Sequence, residues 1–188
     1  EQGGGPLIDI GTHALDLTLW MMNNYKPKSV MGTVYHKLNN DRETGNAWGD
    51  WDPEKFTVED SAFGFIVMEN GATIELNASW ALNTLDVEEA RTMVCGTKAG
   101  ADMHKGELHI NGVKHGKQYV TTPALDSKGV DFYDGTKKGP NEIEQFVFTQ
   151  AVRGEGEITV KPEQAIVVTQ ILEAIYTSAK TGKPVYFD

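Results

Sequence analysis

The chain has 188 residues, 39% apolar and 23% charged, which suits one globular domain with a real core and not a disordered segment. Its net charge of −10 repels phosphate backbones and anionic lipid, which argues against nucleic-acid and membrane partners. Cys95 is the lone cysteine, so an intrachain disulfide and a cysteine zinc cluster are both excluded; a reducing, cytoplasmic setting fits best.

Residues 6–22, PLIDIGTHALDLTLWMM, read as the first helix or a strand-to-helix segment, with Leu7, Ala14, Leu17 and Met21 at three- and four-residue spacing. Asn23 and Asn24 are suitable terminators, and Pro27 blocks continuation. A strand is expected over 28–37. The polar stretch 38–56 carries Trp48 and Trp51, two large rings expected to pack on something.

The clearest local signal is Asn70-Gly71 between two β-prone runs, 57–69 and 72–81, which predicts a hairpin. In its second strand Ile74, Leu76, Ala78 and Trp80 alternate with polar residues, giving one buried face. Short strands are expected near 88–95, 100–104, 107–113 and 117–121, separated by glycines. Two helices follow over 140–152 and 162–180, each opening on a proline and each followed by a glycine. A short strand closes the chain at 184–187. Strands and helices are segregated, so the fold class is α+β with a mostly antiparallel sheet.

The residues that could carry chemistry are few. Asp9 and His13 are four apart, which on a helix puts both on one face. A carboxylate beside an imidazole suits general acid–base work on a hydroxyl or carbonyl. The same pair also suits a capping Asp9 and a hydrogen-bonded structural His13. Gly3, Gly4, Gly5 and Gly11 around them permit close backbone approach to a ligand or an unusual turn. Asp60, at the mouth of a strand, is a weaker substrate-binding candidate. Asp16, three residues beyond His13, reads as facing solvent or capping locally. His104, His109 and His115 lack zinc spacing, and no metal site is expected. Trp48 and Trp51 could stack on a sugar ring, pack the loop or make a subunit contact.

The run GGGPLIDIGTHALDLTLWMM resembles the opening motif of the C-terminal domain of the Gfo/Idh/MocA oxidoreductases. VEDSAFGFIVMENGATIELNASW at 58–80, GTKAG at 96–100 and AIYTSAKTGKPV at 174–185 agree with it in order. The resemblance implies an open-faced, mostly antiparallel β-sheet with helices packed on one face. It also implies an N-terminal Rossmann domain that binds NAD or NADP in the full-length parent, with no cofactor bound by this chain. The substrate would be a sugar, cyclitol or related polyol, and copies would form a homo-oligomer through the sheet face, around 63–80. The motif places His13 at the reacting hydroxyl as proton acceptor or donor. Asp9 would position His13 or bind a neighbouring hydroxyl.

The family's Rossmann domain, its Glu-Lys-Pro lysine and the first strand of its C-terminal domain have no counterpart among the 188 residues, and Gly182-Lys183-Pro184 stands at the wrong end to replace the lysine motif. Two other readings follow: a binding and assembly module without activity of its own, and part of a nicotinamide-assisted glycoside hydrolase.

Overall fold

A computed structural model describes residues 3–38, 40, 43, 51–85, 91–123 and 139–187. Trp48 lies outside these residues, as does the beginning of the strand expected near 88–95.

The first helix is not a single regular one. Leu7–Gly11 form a π-helical turn, and α1 continues from it over Thr12–Met22. The wider turn shifts the phase of everything that follows. The buried positions are therefore Leu7, Gly11, Leu15 and Leu19, four apart each time, and not the expected stripe through Ala14, Leu17 and Met21. Asn23 ends the helix in the left-handed conformation at φ 46°. Its N–H bonds to Trp20 O and that of Asn24 to Leu19 O, the paired bonds of a Schellman stop.

Strands β1 (Pro27–Tyr35), β2 (Ser61–Met68), β3 (Thr73–Ser79) and the short β8 (Val185–Tyr186) build the first sheet in the order β3-β2-β1-β8. All of its pairings are antiparallel. The expected hairpin joins β2 to β3 by a loop slightly longer than two residues. Gly71 N–H bonds to Met68 O, and Met68 N–H to Ala72 O. Gly71 alone takes a positive φ there, 87°, so Asn-Gly makes a type I turn with a bulge. The Asn70 side-chain oxygen secures it by accepting the Ala72 N–H at 3.1 Å.

The remaining strands, β4 (Met93–Cys95), β5 (Ala99–Asp102), β6 (His109–Lys114) and β7 (Lys117–Thr121), form a second antiparallel sheet in chain order. A 3₁₀ turn over His104–Gly106 stands where the end of an expected strand ran to residue 104. The fold class read from the sequence therefore holds, with its strands divided between two sheets.

Helices α2 (Pro140–Val152) and α3 (Pro162–Thr181) match the expected spans closely. In each, the side chain three residues into the helix turns back on the backbone N–H that precedes it: Glu142 accepts Gly139 N–H at 2.8 Å, and Gln164 accepts Lys161 N–H at 3.0 Å. α3 lies across β1 and β2 of the first sheet, and α1 packs beside it.

Glycine lets α3 come close. Gly32 and Gly64 face each other across β1 and β2, and a Cβ on either would run into Ile175. Ile175, Ile171, Ile66, Val30, Ala62 and Leu15 form the centre of the core, all fully buried. Ser178, also fully buried, accepts Gly32 N–H at 3.0 Å beyond the end of short β8. The opposite face of this sheet presents Met31, Tyr35, Phe63 and Phe65, three of them 41–44% exposed. No described helix covers it. No described helix is long and apolar enough to cross a membrane.

Candidate active site

The π-turn is held from below by a buried carboxylate. Glu59, 4% exposed, accepts the Leu7 N–H at 3.2 Å and the Tyr176 hydroxyl at 2.7 Å, both on Oε1. A Cβ on Gly5 would collide with that carboxylate, so the glycine run lets the chain pass over it. Tyr176 is pushed well above the ordinary phenol range, first by burial and then by its bond to Glu59. Gly11, on the other side of the turn, packs against Ala78 of β3. The turn is thus fastened to β3, to α3 and to the segment before β2.

On its outer side the turn opens into a cleft of about 620 Å³. Gly3, Gly4, Ile8, Asp9, Thr12, His13 and Trp80 line it. Asp9 and His13 are both exposed there, so the structure brings together the two residues the spacing paired. They do not bond to each other among the described residues. The Asp9 Oδ2 instead accepts the Trp80 indole N–H at 3.0 Å. Thr12 donates its hydroxyl to Ile8 O at 2.6 Å, bridging the π and α segments between them.

Trp80 is the residue that periodicity misplaced. Alternation puts it on the buried face with Ile74, Leu76 and Ala78, but β3 ends at Ser79 and Trp80 sits half-buried at the cleft. Its ring stands edge-on to Phe56, centroids 5.8 Å apart, and Phe56 in turn meets Trp51 at 5.7 Å. Trp51 therefore packs on the loop, as expected of one of the two loop tryptophans. The available signal for Trp80 was chemical: an indole N–H needs an acceptor wherever the ring comes to rest. Glu59 and Tyr176 gave no signal, since they lie 117 positions apart.

Asp60 is placed elsewhere. It is 1% exposed, and its carboxylate accepts Leu38 N–H and the Ser61 hydroxyl, each at 2.8 Å. It does not line the cleft, and it ties the end of β1 to the start of β2. Asp16 is half-buried on α1 and also outside the cleft.

The three histidines lie in the second sheet region. His109 contacts Thr122 at 2.9 Å and Glu107 at 3.5 Å, and His115 takes φ 53° in the β6–β7 turn. Asp102 is paired with Arg91 at 3.1 Å, which holds its carboxyl below the usual range. Among the described residues no group of three or more His, Cys, Asp or Glu is placed to hold a metal.

A dinucleotide's pyrophosphate asks for a strand–turn–helix with free N–H groups at the helix start. The described residues do not fit it. Every described strand pairing is antiparallel, and the Leu7 N–H at the start of the turn is already taken by the Glu59 side chain.

The C-terminal alpha/beta domain of the oxidoreductase family, in its Gfo/Idh/MocA form, matches residues 1–187. The chain belongs to the Gfo/Idh/MocA oxidoreductases. It is 31% identical over 181 residues to D-glucoside 3-dehydrogenase of Escherichia coli K12, covering 96% of this chain and 48% of that protein. An oxidoreductase domain protein from Kribbella flavida shares the fold at TM-score 0.77 and 17% identity, over the whole of this chain and 51% of its own. An NAD binding oxidoreductase from Klebsiella pneumoniae does so at 0.70 and 19%, over 98% and 50%. The chain spans about half the length of these relatives.

Proposed function

We propose that this chain is the substrate-side domain of a two-domain, NAD- or NADP-dependent oxidoreductase acting on a hydroxyl or carbonyl of a sugar, cyclitol or related polyol. The observation that carries the reading is the shared cleft of Asp9 and His13 on a turn fastened at three points. The 31% identity to a glucoside dehydrogenase over nearly the whole chain supports a carbohydrate substrate. The nicotinamide would be held by the part of the parent outside this chain, where its own domain supplies the fingerprint missing here. His13 takes the proton of the reacting hydroxyl in oxidation, or returns one in reduction. Asp9, an acceptor-only group when ionised, receives a neighbouring hydroxyl.

In the full-length parent, His13→Ala is expected to lower kcat by roughly two to four orders of magnitude, the usual worth of a positioned acid–base group. Near-normal turnover of pyranosides with either nicotinamide would remove the reading.

We further propose that copies of the parent associate through the face of the first sheet that no described helix covers. Tyr35 and Phe63 already meet there edge-on at 5.9 Å, beside exposed Met31 and Phe65. Light scattering at micromolar concentration should give a dimer or a larger mass, and a monomeric mass would contradict this.

A further inference from the structure

Trp80 stands outside the acid–base pair, yet it makes the one hydrogen bond that Asp9 receives from another side chain among the described residues. Three features fix where its indole points. Its backbone N–H reaches Asp60 O at 3.3 Å, and Asp60 is itself locked by Leu38, Ser61 and Ser79. Its ring is held edge-on by Phe56, which is 9% exposed and cannot move aside freely. Its position, immediately beyond β3, places it against the turn whose Gly11 packs on Ala78.

An ionised carboxylate has two oxygens and accepts only. With Oδ2 given to the indole, Oδ1 has no protein partner among the described residues, and it belongs to a residue that lines the cleft.

We infer that Trp80 is a positioning residue: its indole N–H holds Asp9 so that the second carboxylate oxygen receives a substrate hydroxyl. The inference rests on the proposed reading of the cleft as a polyol site. It gives the Asp9 carboxylate one orientation in place of the several it would sample as an exposed side chain. The loop residues Phe56 and Trp51 act on the site through the same ring.

The test is a double-mutant cycle in the full-length parent, read as kcat/KM for the sugar. Trp80→Phe keeps the ring and removes the donor. It should lower kcat/KM about tenfold, the loss expected for one charge-assisted hydrogen bond. In an Asp9→Ala background the same replacement should cost little. An equal, additive loss in both backgrounds would overturn the inference, as would an unchanged kcat/KM for Trp80→Phe alone. Neither outcome would touch His13, whose replacement tests the cleft itself. If Trp80→Phe does not fold, the indole N–H spectrum of an Asp9→Asn parent decides. One indole signal should shift upfield as its acceptor loses charge, and a spectrum unchanged from the parent's would overturn the inference.

Discussion

The two sheets of this domain are built on different principles. The first has α3 seated in a glycine groove and a continuous core of fully buried residues from the π-turn, α1, β1, β2 and α3. In the second, all five residues of β7 are exposed, and Gly112 is the single buried position of β6. Cross-strand contacts hold it, such as the Tyr119 ring lying over Gly112. Among the described residues, those that line the cleft all sit on the side of the first. Asp9 rides on a turn packed against β3, Trp80 directly follows β3, and Glu59 precedes β2. Precision at an exposed site is inherited here from a dense core a few ångströms below it.

That contrast can be broken by substitution. The largest effect should come from Ile175→Ala, which empties the groove formed by Gly32 and Gly64. It is expected to cost about 2–5 kcal/mol in urea unfolding. The same truncation at exposed Val113 of β6 should change stability by less than about 0.5 kcal/mol. Equal losses at the two positions would remove the distinction between the sheets.

A smaller effect sharpens it at the junction of core and cleft. Tyr176→Phe leaves the buried Glu59 oxygen with the Leu7 N–H as its one partner among the described residues and should cost about 1–2 kcal/mol near neutral pH. Because burial and Glu59 raise the folded-state pKa of Tyr176, its protonated form is favoured by folding. The associated stability is complete below the unfolded phenol pKa of about 10 and is lost as pH rises above it. Wild type should therefore weaken in alkali, and Tyr176→Phe should weaken less steeply. Some slope should remain, since burial and Asp16 raise Tyr25 as well. Identical alkaline profiles for the two proteins would show that the Glu59–Tyr176 contact is not made in solution.

The sequence made the fold readable wherever a local rule operated. Asn70-Gly71 marked its hairpin, the prolines and glycines bounded α2 and α3, and Asn23 stopped α1. It also placed Asp9 and His13 in one cleft, because four residues span one turn in either helical form. The misses have one cause each. The π-turn moved the buried stripe off the α-helical period. Trp80 fell at the first position after a strand, where alternation no longer applies. Asp60 stood near the right strand, yet its partners are the backbone of Leu38 and its own neighbour Ser61. Glu59 and Tyr176 meet only through tertiary structure. None of these contacts leaves a trace in spacing.

In the proposed reading, the cleft is where a polyol is held for proton transfer. A crystal structure of the full-length parent with a bound pyranoside tests this most directly. One sugar hydroxyl is expected within hydrogen-bond reach of the His13 imidazole and another on Asp9 Oδ1, with Trp80 still bonded to Oδ2. A sugar seated away from the Leu7–Gly11 turn, with His13 and Asp9 facing solvent, would contradict it.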